Sequence, residues 1–471
     1  MAAVAEADET TGPNADQVDG DGPIGSRDYA RITAELLGRW PENAIEPSLG
    51  RMTAVMDLLG EPQRAYPVIQ VAGTNGKSST ARMIASLLRA LGLRAGLYTS
   101  PHLADMRERI EIDGEMITAE AFVQAAGDVA PFIAAVDARA DAEGGTPVTF
   151  FETMTAIALA AFADAPVDVA VVEVGLGGSW DATSVCDPQV AVVTRVDIDH
   201  ADLLGDTIEE IAREKAGIIK PGCFAVIAEQ DEEAAPILAE RIAEVSVPAA
   251  WEGQSFAVAD RSIAVGGQLL TIQGLSGVYE DVFVPLFGRH QAENAAVALA
   301  AVEAFVGGGA TALDGEVVRD GFAEVTSPGR LEVVRRGPTV LVDAAHNPAG
   351  ATALAHALGE AFAFTHVVGV VAVLADKDAR GLLISLEPVL DQVVITQNSS
   401  PRALPVDDLA AVAAQVFGSE RVITERRLDA ALDTGIRMAE EADTYAASGV
   451  VVTGSVVTAG EARALLTRGR A

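Results

Sequence analysis

The chain alternates short apolar runs with longer segments in which apolar residues return at helical spacing. The runs "YPVIQVA", "LRAGLYT", "VDVAVVEV", "QVAVVTRV" and "CFAVIAEQ" are rich in Val, Ile and Ala and predict buried strands. Between them, "SSTARMIASLLRALG", "AEAFVQAAGDVAPFIAAVDARA", "TMTAIALAAFA" and "TIEEIAREKAG" predict helices whose many alanines favour close packing on a sheet. "RITAELLGRW" and "RMTAVMDLLG" predict a short helical approach to the first strand. Strands that alternate with helices imply a doubly wound α/β sheet. Residues 253 to 286 read as short extended pieces, followed by the amphipathic "ENAAVALAAVEAF".

In "TSPGRLEVVRRGP", Pro328 and Gly329 break regular structure before a second alternation begins. Its strand candidates are "TVLVDAAH", "THVVGVVAVL", "DQVVITQ", "RVITE" and "GVVVTGS", with "ATALAHALGEAFA" and "RLDAALDTGIRMAEEA" as helices. The pattern therefore predicts a leader over residues 1–26, a large α/β domain over 27–325 and a smaller α/β domain over 326–471.

Composition narrows the function classes. With 33 Lys and Arg against 68 Asp and Glu, the net charge of −35 opposes binding to nucleic acid or to an anionic membrane surface. The leader holds Glu6, Asp8, Glu9, Asp16, Asp19 and Asp21 and no basic residue, the reverse of a signal or transit peptide, and reads as disordered. Cys186 and Cys223 form no CxxC pair and read as core thiols. With no uninterrupted apolar run as long as a membrane span, the chain reads as cytoplasmic.

Candidate chemistry sits where strands end. In "VAGTNGKSS", Gly73 and Gly76 let the backbone approach a phosphate, Lys77 supplies positive charge, and Ser78 an oxygen for magnesium. Val71 stands where the full eight-residue phosphate-loop pattern has glycine, so the match is to a shortened loop. "EVGLGGSWDATS" puts Glu173 at a strand end, either as a magnesium ligand opposite Ser78 or as a solvated terminus. "DIDHADLLGDTIEEIAREKAG" offers His200 and Lys215. His200 reads as a metal ligand or a satisfied polar residue, and Lys215 as a solvated helix residue, because an ammonium cannot ligate a cation. Asp197, Asp199 and Asp202 make the local field negative. In "TSPHLADMRERI", Ser100, His102, Arg107 and Arg109 suit a mobile loop at a metal and an anionic substrate, or ordinary turn packing. Arg330, Asp343, His346 and the "LADKD" residues Asp376, Lys377 and Asp378 fall at turns of the second domain, as a site between domains requires. His356 and His366 read as packing or solvent-facing residues.

Taken in order, "GTNGKSS", "TSPHL…RERI", "TFFETMTA", "EVGLGGSWDATS", "DHADLLGDTIEEIAREKAGIIKPG", "GRHQAENA", "SPGRLE", "DAAHNPAG", "LADKD" and "TGS" resemble the folylpolyglutamate synthase and dihydrofolate synthase family, within the Mur-ligase-like ATP-dependent amide-bond formers. The resemblance covers nearly all of the chain after the leader. It implies a P-loop-type ATP-binding domain and a C-terminal ligase domain, with ATP and Mg2+ used to join L-glutamate to dihydropteroate and to extend a reduced folate. It further implies a nucleotide site of Gly73, Thr74, Asn75, Gly76, Lys77, Ser78, Ser79, Asn294, Arg330 and Asp343. Ser78, Ser100, Glu173 and His200 match its metal positions, and Lys215 a lysine carried as a carbamate. His346 matches a position near the reaction and the incoming glutamate, and Thr149, Phe151, Asp181 and Ala182 match a pterin-binding pattern. Lys77, Lys215 and His346 are thus the catalytic candidates, and the family implies a monomer. Ser179, Ser184, Arg195 and Val196 depart from the usual family wording and bear on substrate detail more than on ATP chemistry. The competing readings are a folylpolyglutamate synthase alone, a peptidoglycan Mur ligase, and a noncatalytic nucleotide-binding regulator.

Overall fold

The computed structural model describes residues 24–39, 47–442 and 447–467. Most of the acidic leader, residues 1–23, lies outside the described residues, and the first helix, Ile24–Leu37, begins inside the stretch read as leader.

The large domain is built on eight strands: β1 (Val68–Ala72), β2 (Ala95–Tyr98), β3 (Ile110–Ile112), β4 (Glu115–Met116), β5 (Val169–Glu173), β6 (Val190–Val193), β7 (Phe224–Ile227) and β8 (Ala249–Trp251). Their order is β4-β3-β2-β5-β1-β6-β7-β8. The pairs from β2 to β8 are parallel, and β3 and β4 add an antiparallel edge. All five residues of β1 are buried, which is why "VIQVA" shows no polar alternation. On one face Ile69 and Val71 meet Ile84 and Leu88 of the Lys77–Ala90 helix and Leu299 and Val302 of the Arg289–Gly307 helix. On the other, Val68, Ala170 and Val172 meet Phe122 of the Ala119–Glu143 helix and Ile157 and Phe162 of the Phe150–Asp164 helix. Each large side chain so buried contributes roughly 1.5–3 kcal/mol. The Ala119–Glu143 helix is long and apolar enough to cross a membrane, yet it turns Phe122, Val129, Ile133 and Val136 into this core.

The short extended pieces form an antiparallel sheet, β9 (Ala257–Ala264), β10 (Gly267–Gln273) and β11 (Val278–Val284), in the order β11-β10-β9. Leu270, Ile272 and Val282 pack in the same core as the Arg289–Gly307 helix. The small domain has β12 (Glu332–Arg335), β13 (Thr339–Val342), β14 (His366–Val371), β15 (Gln392–Ile395), β16 (Val422–Thr424) and β17 (Ser448–Thr453), in the order β12-β13-β17-β14-β15-β16. Only β12 runs antiparallel. In the large sheet β1 sits between β5 and β6, so the chain leaves it on one side for β2 and later returns on the other. The turn after β1 therefore opens at a topological switch point, where ligands of such sheets bind.

Candidate active site

The turn after β1 is held by backbone approaches that only glycine permits. A Cβ on Gly73 would lie 1.8 Å from Thr194 Oγ1, and one on Gly76, whose φ is 87°, would lie 2.5 Å from Asn294 Oδ1. Thr74 Oγ1 exchanges 2.9 Å hydrogen bonds with the backbone of Asp197, and Thr194 Oγ1 donates to the Asn75 carbonyl at 2.8 Å. The turn is thus fixed to the strand end of β6. Lys77 folds back and donates to the Gly73 and Thr74 carbonyls, both at 3.0 Å. Burial lowers its pKa, while Glu173 and Asp199 oppose that shift. Beneath the turn, Ser79 meets Ser327 at 3.1 Å and accepts from Gln291 at 3.2 Å, and Asn294 donates to Gln291 at 3.2 Å.

Ser78 donates to Glu173 Oε1 at 2.8 Å, and the Ser100 backbone N–H donates to Oε2 at 3.1 Å. Glu173 is 1% exposed, and burial raises its pKa against the opposing pull of Lys77. A buried carboxylate beside a serine hydroxyl is a hard oxygen set, which fits magnesium. Two further expected metal positions, Lys215 and His200, meet other groups. Lys215 donates to the Gly73 carbonyl at 2.8 Å, and His200 Nε2 lies 3.2 Å from Lys377 Nζ. Among the described residues, no three His, Cys, Asp or Glu side chains converge as a metal-holding group. Burial pushes the Lys215 amine down to about 7, helped by Lys77, and pushes His200 down to about 4.

The small domain faces this turn. His346 and Asn347 follow β13, and Lys377 lies on the turn after β14. All three reach Asp199 of the large domain: Lys377 at 2.6 Å, Asn347 at 3.1 Å and His346 at 3.3 Å. Asn347 also donates to Asn75 on the turn after β1 at 3.3 Å. Burial would raise Asp199, but His346, His200 and Lys377 outweigh it and hold the carboxyl well below the usual range. Asp343 accepts from Leu331 N and Ala345 N, both at 2.8 Å. Burial raises its pKa, and the Arg330 charge opposes this.

The residues of the pterin pattern gather at the start of the Phe150–Asp164 helix and the turn after β5. Thr149 caps that helix in a reciprocal box with Glu152, which Arg51 pairs at 3.1 Å. Phe151 leans on Gly175, where a Cβ would come within 2.4 Å of its ring. Asp181 is 3% exposed and accepts from Thr183 N and Leu176 N, both at 2.9 Å, while Ala182 is buried beside it. Ser184 donates to the Gly178 carbonyl, Ser179 to Glu214, and Arg195 pairs with Asp231 at 2.7 Å. The departures from the family wording are thus locally satisfied.

In the sequence Asp199 counts only as background charge, because nothing in "DIDHAD" distinguishes it from its neighbours; its partners lie more than a hundred residues away. The sequence puts His102 on a loop that faces either the substrate or ordinary turn packing. In the structure it accepts from Arg109 Nε at 2.9 Å, and Arg109 lies over the Phe150 ring at 5.1 Å, which ties this loop to the Phe150–Asp164 helix.

Residues 71–302 match the Mur ligase middle domain, and residues 329–455 the Mur ligase glutamate ligase domain. Over 448 residues the chain is 52% identical to the dihydrofolate synthase/folylpolyglutamate synthase of Mycobacterium tuberculosis, covering 91% of this chain and 92% of that protein. The Bacillus subtilis protein of the same name is 35% identical, over 78% of this chain and 84% of its own. Among solved structures, Mycobacterium tuberculosis folylpolyglutamate synthase complexed with ADP and AMPPCP superposes with a TM-score of 0.90 at 50% identity, covering 94% of this chain and 99% of that one. Escherichia coli FolC in complex with DHPP and ADP gives a TM-score of 0.80 at 30% identity, over 96% of this chain and 100% of that one. This chain belongs to the dihydrofolate synthase/folylpolyglutamate synthase family, built on Mur ligase domains.

Proposed function

We propose that the cleft between the two domains joins L-glutamate to dihydropteroate and extends reduced folates by further gamma-linked glutamates, with ATP converted to ADP and phosphate. The observation that carries this reading is the meeting of the phosphate turn with the small domain, through Asn75 and Asn347 at 3.3 Å. A carboxylate is a poor acyl donor because oxide is a prohibitive leaving group. Attack of the substrate carboxylate oxygen on the γ-phosphorus releases ADP and leaves an acyl phosphate. The glutamate amine then attacks the carbonyl carbon, phosphate departs with the C–O bond electrons, and the amine gives up its proton.

The backbone amides at the start of the Lys77–Ala90 helix receive the phosphates, and Lys77 leaves the Gly73 and Thr74 carbonyls to neutralise them. Ser78 and Glu173, with Ser100, would hold magnesium, which screens the phosphate charge when bound. Thr74, Asn75 and Ser79 shape the turn, and Asn294, Arg330 and Asp343 hold the nucleotide. His346 receives the incoming glutamate, and Thr149, Phe151, Asp181 and Ala182 form the pterin end. The Lys215 amine, lowered to about 7, is partly neutral at physiological pH, the form that attacks carbon dioxide to give a carbamate and a proton. That product would add an anionic oxygen group where Lys215 now points at the Gly73 carbonyl.

The protein acts as a cytoplasmic monomer in this reading. Purified protein supplied separately with dihydropteroate and with tetrahydrofolate should release ADP from each only when glutamate is present. Release with tetrahydrofolate alone would reduce the activity to folylpolyglutamate synthesis. ADP release without dependence on either acid would overturn the ligase assignment.

A further inference from the structure

One carboxylate of the large domain gathers three side chains of the small one. Asp199 Oδ1 accepts from Lys377 Nζ at 2.6 Å and from the His200 N–H at 2.9 Å; Oδ2 accepts from Asn347 at 3.1 Å and meets His346 Nε2 at 3.3 Å. The Asp199 and Lys377 side chains are 10% and 7% exposed, and this is the only ion pair of Lys377 among the described residues. The two turns that carry these side chains are each tied at a helix start. Asn347 caps the Pro348–Ala361 helix through the Gly350 N–H at 2.8 Å, and Asp378, next to Lys377, caps the Ala379–Leu386 helix.

Parting the domains would break all three contacts together, and closing them would restore one relative placement, since the two oxygens of one carboxylate meet side chains from two separate turns. The same closure seats Asn347 on Asn75 of the phosphate turn and brings Lys377 to His200 Nε2 at 3.2 Å. We propose that Asp199 is a positioning residue that latches the small domain, through Lys377 and Asn347, over the phosphate turn and thereby aligns His346 with the reacting groups. The assignment rests on the ligase reading of this cleft. Asp199 touches no reacting atom in it, and acts through the residues it holds.

The test uses the full chain with Asp199→Asn, Lys377→Gln and the double variant. Each single change should lower kcat about 10-fold or more while KM for the pterin or folate substrate stays within about twofold, because alignment and not substrate binding is lost. The double variant should be no worse than the more damaging single one, since both changes remove the same Asp199–Lys377 contact. Small-angle scattering of nucleotide-free protein should show a larger radius of gyration for D199N than for wild type, with an unchanged melting temperature. Losses that multiply in the double variant, or a D199N enzyme within about twofold of wild-type kcat, would overturn the latch. Should D199N fail to fold, K377Q, which leaves Asp199 bonded to Asn347 and His346, carries the kinetic comparison. The scattering measurement needs no turnover, so a wild type inactive as a ligase would count against the ligase reading alone, and an unchanged radius would then sink the latch.

Discussion

Lys77 and Lys215, far apart in sequence, converge on one acceptor: their Nζ atoms lie 3.0 Å and 2.8 Å from the Gly73 carbonyl oxygen. A half-buried amine (Lys77) and a buried one (Lys215) on one neutral oxygen leave positive charge short of a partner, and desolvation lowers both pKa values. In the proposed function, phosphate binding relieves that imbalance at Lys77. Lys77→Ala should therefore lower turnover by about 100-fold or more while the melting temperature holds, since a charge donor and not a packed side chain is removed. Near-normal ADP formation by a folded K77A enzyme would remove Lys77 from phosphate transfer.

At Lys215 the same crowding favours the neutral amine. Lys215→Ala should reduce turnover, with partial recovery on adding a short carboxylic acid. Carbon-13 NMR of the protein in labelled bicarbonate should show a carbamate signal that is absent from the variant. Identical spectra of the two proteins would leave Lys215 an unmodified amine.

Glu173 is held by Ser78 and the Ser100 N–H, so its two oxygens are already aimed. Glu173→Gln should raise the magnesium concentration needed for half-maximal turnover by about 10-fold or more, since an anionic ligand becomes neutral. Ser78→Ala should shift it less, because water can replace one hydroxyl. A magnesium titration of the three proteins checks the order, and equal curves would place the metal elsewhere.

Asp181 ties Thr183 N and Leu176 N together within the turn after β5. Asp181→Ala should impair dihydropteroate glutamylation more than extension of a preformed folate, if its carboxylate also serves the pterin. It should also cost about 1–2 kcal/mol of stability through the lost cap. Parallel kinetics on the two substrates separate these effects. Equal losses would assign Asp181 to holding the turn.

Glu252 accepts from Glu229 N at 2.9 Å, and burial, with the charges of Glu293 and Glu229, raises its carboxyl to about 7. The folded state binds this proton more tightly than the unfolded chain. The contribution to stability is thus full below about 4.5 and is lost as pH rises through about 7. Glu252→Gln should flatten the fall in melting temperature over that interval and leave the protein more stable than wild type at pH 8. An unchanged pH profile of melting would show that Glu252 titrates normally.

The sequence by itself determined the parts made of local pattern. Runs such as "VIQVA" and "VDVAVVEV", short, β-branched and bounded by turn residues, read as buried strands and form them, and the glycines of "GTNGKSS" read as a turn that lets the backbone approach a phosphate. The two-residue β4 and the three-residue β3 and β8 carry too few residues to show a period, so only the pairing of the sheet revealed them. The ordered motifs likewise pointed to the family, since each is contiguous in the chain. The tertiary structure alone decided what those residues face. It turned Asp181 inward to cap a turn, brought Lys215 to the Gly73 carbonyl, and made Asp199 the meeting point of Lys377, Asn347 and His346. Hydrogen bonds between such distant segments have no period to read, because their geometry exists only once the sheets and their loops have packed together.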